Sequence, residues 1–351
     1  MRDERMERPD LRARDADLGW GDLPAGARNT ITDVPGVRVG HTSLRPSSHI
    51  RTGVTAILPH GGNLFREKVP AAVAVMNGFG KSVGLMQVQE LGELETPLLL
   101  TNTFGVAACT EALIRHALVE EPRIGRETST VNPVVMECND GYLNDIQALA
   151  VRPDDAAAAI QMASEDVVSG AVGAGTGMSC FGLKGGVGTS SRRLRIGDDH
   201  FHLGALVLAN YGRAGDLRLP DGRRVPAGMG SPERGSVIVV IATDVPLEHR
   251  QLRRVAARAG AGIAWTGSFW GHGSGDLALA FSTAERRPHE PLEPILTRRV
   301  LAEAELDTLF RAAAETAAEA VMDALVAAEP MTGFRGHHRA ALRDVLAAMP
   351  S

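Results

Sequence analysis

The run SVIVVIATD, residues 236–244, constrains this chain more than any other feature. Val237 to Ala242 are apolar and mostly β-branched, which predicts a buried strand. The polar residues 231–234, SPER, predict an exposed loop just before it. Gly235-Ser236 is the junction, so a serine stands at the mouth of a core strand with its backbone held rigid. A cut before Ser236 would give it a free α-amine beside its own hydroxyl. With a pKa of roughly 7.7–8.0, that amine is a usable general base near neutrality.

Shorter apolar runs at residues 53–59, 71–77, 97–103, 132–139, 203–212 and 277–282 predict further strands. Helical spacing appears over 105–121, 246–260 and 301–329, and over 151–165, where Asp154 and Asp155 suit a helix start. No Pro/Ser linker and no repeat divides them, so residues 29–351 read as a single α/β domain in which strands and helices are mixed. Residues 1–28, dense in charge of both signs, read as a flexible tail.

Composition narrows the partners. A net charge of −5 and 4% aromatic content offer neither a basic surface nor stacking platforms, which argues against nucleic acid. Cys109, Cys138 and Cys180 are widely spaced, with no CxxC, and read as core residues, not a disulfide framework or zinc site. The N-terminus lacks the apolar stretch of a secretory signal, and no run reaches the roughly 18 apolar residues of a membrane span. The expectation is a cytoplasmic protein without a membrane partner.

The glycine-rich residues 169–192 invite a nucleotide-binding reading that fails on spacing. Lys184 stands in GLKGG, Gly80-Lys81-Ser82 has Val75 where a phosphate loop needs its first glycine, and GAGTGM has Met178 where the dinucleotide fingerprint needs its third. His200 with His202, and His337-His338, lack metal-ligand spacing, so no metal or organic cofactor is expected. Three strand ends carry better chemistry. Asn210 closes one apolar run, Ser236 opens the next, and GSGD, residues 273–276, precedes a third. A nucleophile, a carboxamide donor and a hydroxyl–carboxylate pair, Ser274 with Asp276, are the parts of an acyl-transfer site.

These residues carry a resemblance. NTITDVPGVRVGHT, LLLTNT, ECNDGYLNDI, GLKGGVGTSSR, LANYG, RGSVIVVIATDVPL, SGDLALAFST and MTGFRG occur in this order over roughly residues 29–335. Together they resemble the DmpA-type family of self-processing N-terminal-serine hydrolases, which includes L-aminopeptidase/D-esterases and β-peptidyl aminopeptidases. The resemblance implies a four-layer αββα sandwich like that of the N-terminal nucleophile hydrolases, with its own connectivity. It implies self-cleavage at Gly235–Ser236 into pieces 1–235 and 236–351, and a homo-oligomer of the paired pieces.

By motif, Ser236 becomes the nucleophile, Asn210 the oxyanion donor, and Ser274 and Asp276 its proton-handling partners. Tyr142 lines the site as a possible donor. Glu137 holds the substrate's α-ammonium, with Asp140 as rival, and Lys184 supports the backbone near the cut. The implied substrates are peptides, amides or esters with a free amine. One departure stands out: Lys81 follows the Asn-Gly-x-Gly turn where relatives are expected to carry an acidic residue, so substrate preference does not transfer. A relative that does not cut itself and serves as a scaffold, and a small-molecule acyltransferase, are the other readings. The intact Gly235-Ser236, Asn210 and Asp276 count against the scaffold.

Overall fold

The computed structural model describes residues 11–226 and 235–349; the predicted loop at 231–234 and the first ten residues of the predicted tail lie outside them. The main strands are β1 (Arg38–Leu44), β2 (Thr52–Leu58), β3 (Glu67–Gly78), β4 (Leu98–Asn102), β5 (Val134–Cys138), β6 (Gly186–Ile196), β7 (Asp199–Asn210), β8 (Ser236–Thr243) and β9 (Gly275–Ser282). The helices are α1 (Leu85–Leu91), α2 (Val106–Glu120), α3 (Pro153–Gln161), α4 (His249–Trp265), α5 (Leu306–Ala327) and α6 (Leu342–Ala347). One sheet has the order β1-β2-β4-β5, and the larger has β3-β9-β8-β7-β6 with two short strands added against β3. The pairs β4–β5 and β8–β9 are parallel; the other pairs among these nine strands are antiparallel.

Side-chain alternation explains why β8 is apolar from Val237 to Ala242. Val237, Val239 and Ile241 join the core under α4 and α5, whereas Ile238, Val240 and Ala242 point into the core between the sheets. A strand covered on both faces loses the polar alternation of a half-exposed one. On the smaller sheet, Leu98 and Leu100 face the larger sheet, while Leu99 packs under α2 and α3 with Leu113 and Ile160. The order of layers is therefore α-β-β-α, the sandwich that the resemblance implies. The helix start at Asp154 and Asp155 is also found, with Pro153 at its first position.

Residues 11–28 differ from the loose tail predicted for 1–28. They lie across α5, with Ala13 and Leu18 buried in its core. The cause is a row of acids at helical spacing on α5, Glu315, Glu319 and Asp323, all buried. Arg12 Nε meets Asp323 at 2.6 Å and Arg14 Nε meets Glu319 at 2.8 Å. Arg192 of β6 lies between Glu315, at 3.0 Å, and Glu319, at 2.9 Å. Charges that look like solvated surface in the sequence neutralise carboxylates about three hundred residues away.

Candidate active site

Ser236 opens β8 and is buried, and its Oγ accepts the Gly275 N–H at 3.1 Å. The parallel register sets Ser236 opposite Gly275 and Val237 opposite Asp276. Ser274, one residue before Gly275, donates its hydroxyl to Asp276 Oδ1 at 2.6 Å, and both residues are fully buried. On the other side of β8, the antiparallel register places Asn210 directly opposite Ser236. The three strand ends singled out in the sequence therefore converge on one rim.

Asn210 is held at both ends of its amide. Its Nδ2 donates to the Asn139 carbonyl at 2.9 Å and its Oδ1 accepts from the Ser179 N–H at 2.9 Å. One of its two amide protons is thus engaged by a backbone carbonyl. Lys184 supports this arrangement from below. Its buried Nζ donates to the carbonyls of Gly175, Met178 and Gly185 at 3.0, 2.9 and 2.7 Å, which fixes the turn leading into Ser179. Burial pushes the lysine well below its ordinary range, and the three acceptors oppose that loss of charge. The three carbonyls account for all three protons of a Lys184 ammonium.

Two glycines set the spacing at the nucleophile. A Cβ on Gly235 would lie 1.9 Å from the Asn210 carbonyl oxygen. A Cβ on Gly275 would lie 3.1 Å from Ser236 Oγ and 3.0 Å from the Gly80 Cα. Only bare backbone fits at Gly235, and a Cβ at Gly275 would press tightly on Gly80 and on the nucleophile. Gly80 in turn faces Glu137, whose Oε1 would be 3.7 Å from a Cβ there. Glu137, on β5, is 3% exposed. Its Oε1 accepts the Lys81 N–H at 2.8 Å and its Oε2 accepts the Thr103 hydroxyl. A carboxylate and the serine are thus separated by the Gly80–Gly275 contact.

Asp140 and Tyr142 lie differently. Asp140 is fully enclosed, accepts from Asn144 Nδ2 at 3.0 Å, and is pushed up to about 6 by burial, against the pull of Thr52, Asn144 and Asn102. Tyr142, 39% exposed, stacks on His337 with ring centroids 4.5 Å apart, and the Arg339 guanidinium lies 3.6 Å over its ring. Those stacking contacts fix the Tyr142 ring to the C-terminal segment, not to β8.

Several contributors escape sequence reasoning. Asn77 ends the β3 side of the rim, and its Nδ2 donates to the carbonyls of Gly271, at 3.1 Å, and of His272 and Ser274. Cys138, read as a core residue, has its Sγ 3.3 Å from the Ser236 carbonyl oxygen. Burial pushes its thiol well above the ordinary range, so it stays a neutral S–H under the nucleophile's backbone. Thr103, inside LLLTNT, was visible as part of the motif and not as a ligand of Glu137. Among the described residues no group of three His, Cys, Asp or Glu side chains converges as metal ligands would, and no helix is long and apolar enough to cross a membrane.

A serine at a strand mouth beside a buried Ser–Asp pair, in a sandwich of two facing sheets, defines a serine-type hydrolase. A profile of peptidase family S58 matches residues 29–339. The chain belongs to that family and is a serine-type aminopeptidase. It is 37% identical over 355 residues to the beta-peptidyl aminopeptidase BapA of Sphingosinicella microcystinivorans, covering 93% of this chain and 88% of the relative. It is similar in structure to the PH0078 protein of Pyrococcus horikoshii OT3, with a TM-score of 0.91 and 45% identity over 97% of this chain and 98% of that one. The L-aminopeptidase D-Ala-esterase/amidase of Ochrobactrum anthropi, described as a variant of the Ntn hydrolase fold, superposes with a TM-score of 0.86 at 37% identity, covering 96% and 98%.

Proposed function

We propose that this chain is an N-terminal-serine aminopeptidase that activates itself by cutting Gly235–Ser236 and then releases the first residue of peptides, amides or esters with a free amine. The observation that carries the reading is the Ser236 Oγ held by the Gly275 N–H at 3.1 Å, directly across from Asn210 and one residue from the Ser274–Asp276 pair. Ser236 Oγ attacks the carbonyl of the first residue, and its proton passes to its own α-amine or to the Ser274–Asp276 pair. The second N–H of Asn210 Nδ2 steadies the oxyanion. The C–N or C–O bond then breaks, the leaving group takes the proton, and water hydrolyses the acyl-serine ester.

Glu137 binds the substrate's ammonium, because a buried carboxylate facing a cation is favoured over an unpaired one. The relatives' names divide between β-peptidyl and L-aminopeptidase/D-Ala-esterase activities at equal identity, so both substrate classes suit this reading. Residues 29–351 act as one catalytic domain after the cut, as a cytoplasmic homo-oligomer of paired pieces. Denaturing electrophoresis with intact mass tests the proposal: the wild type should give pieces of roughly 25 and 12 kDa, in proportion to their lengths. Ser236→Ala should stay whole. A wild type that stays whole in every preparation would sink it.

A further inference from the structure

A groove of ≈ 1000 Å³ runs along α2, and it meets the site at Glu137's two ligands, Lys81 and Thr103. Its walls are apolar: Val83, Phe104, Ala107, Ile114 and Leu149 line it. Phe104 is 52% exposed, and Ile114 and Leu149 are exposed as well. Ordinary exposed hydrophobics are scattered; a contiguous apolar trough continuous with a polar anchor has the form of a binding subsite. The charged groups near it are already engaged. The Lys81 ammonium is folded back on the Phe79 carbonyl, at 3.2 Å, and over the Phe79 ring, and Arg115 pairs with Glu111.

The position of the groove decides what enters it. An aminoacyl substrate has its amine at Glu137 and its carbonyl at Ser236, so its backbone spans the Gly80–Gly275 contact. The leaving group extends from the carbonyl, at the Ser236 end. The side chain branches from the carbons next to the amine, at the Glu137 end, where the groove begins. We infer that this groove receives the side chain of the substrate's first residue and makes the enzyme selective for amines bearing a large apolar side chain. The inference rests on the amine-binding role proposed for Glu137.

The test uses the processed full-length enzyme and the p-nitroanilides of glycine and leucine. The leucine-to-glycine ratio of kcat/KM should be about tenfold or more, the discrimination that added methylenes give in an apolar pocket. Ala107→Trp, at an exposed helix position, should lower that ratio by a similar factor. A second measurement needs no turnover: Ser236→Ala should bind leucinamide more tightly than glycinamide by calorimetry, and adding Ala107→Trp should remove the difference. Turnover with a ratio near one, or a ratio that Ala107→Trp leaves in place, overturns the groove assignment while the aminopeptidase reading stands. A leucinamide preference without any anilide turnover supports the groove and counts against the proposed reaction. Equal binding of the two amides overturns the groove, including the case in which another copy of the chain covers it.

Discussion

Asn210 and Ser236 face each other across the β7–β8 ladder, the last residue of one strand against the first of the next. The carboxamide is locked by Asn139 and Ser179, so its remaining N–H has a fixed direction. A donor that need not reorganise is the kind that stabilises developing charge most.

Asn210→Ala should therefore lower kcat by about 10²–10³, the usual cost of losing one oxyanion donor, equal to about 2.7–4 kcal/mol. In the proposed self-cleavage the tetrahedral centre forms at the Gly235 carbonyl, whose oxygen need not occupy the same place, so the variant should still process. Isolating the processed fraction and measuring its kcat on an alanine anilide checks this. A near-wild-type value would reduce Asn210 to a strand cap.

Glu137→Gln should weaken kcat/KM by about 2 kcal/mol or more, as for the loss of a buried charge pair. Acetylating the substrate amine should abolish turnover by the wild type. Equal rates on free and acetylated substrates would refute the assignment of Glu137.

Asp140 predicts a pH dependence of stability. Its folded pKa, about 6, lies above the ordinary 3.8, so the folded state holds the proton longer than the unfolded chain. The stabilising contribution is complete below the ordinary value and is lost as pH rises through about 6, amounting to about 3 kcal/mol over the window. Urea midpoints of the wild type and Asp140→Asn across pH 4–7 should differ in slope, with the variant flatter. Parallel curves would show that Asp140 titrates normally.

Arg192 is fully buried between Glu315 and Glu319. Arg192→Ala leaves two buried carboxylates short of a partner and should cost about 3–5 kcal/mol in unfolding free energy. Lysine should restore little, since it lacks the fork that reaches both acids. A loss under about 1 kcal/mol, the scale of an exposed ion pair, would mean the network is solvated.

Much of the architecture was legible because the inner strands are buried on both faces. The runs behind β4, β5, β7, β8 and β9 are continuous apolar segments that the period-2 rule for half-exposed strands does not need. β6 was hidden in the glycine-rich stretch, since α5 packs so closely that Gly188 lies against the Ala320 carbonyl and bulky strand formers cannot fit. The three strand ends at Asn210, Ser236 and Ser274–Asp276 were legible because their chemistry sits beside apolar runs. Asn77 and Cys138 were not, because their work is done on backbone carbonyls that only the folded chain brings near. The ordering of residues 11–28 was equally invisible, its partners being far along the chain.

The strand order of the larger sheet also constrains when the proposed cut could come. β8 and β9 are inserted between β3 and β7, so both central strands come from beyond residue 235 while their neighbours come from before it. A polypeptide ending at residue 235 would have a gap where the middle of its sheet belongs, with two unpaired ladders facing each other across it. The two halves cannot be built separately and then joined without exposing those edges. The proposed cut at Gly235–Ser236 would consequently follow folding. An uncut chain would act as its own assembly template, and the interleaved strands would keep the two pieces together without any covalent tie.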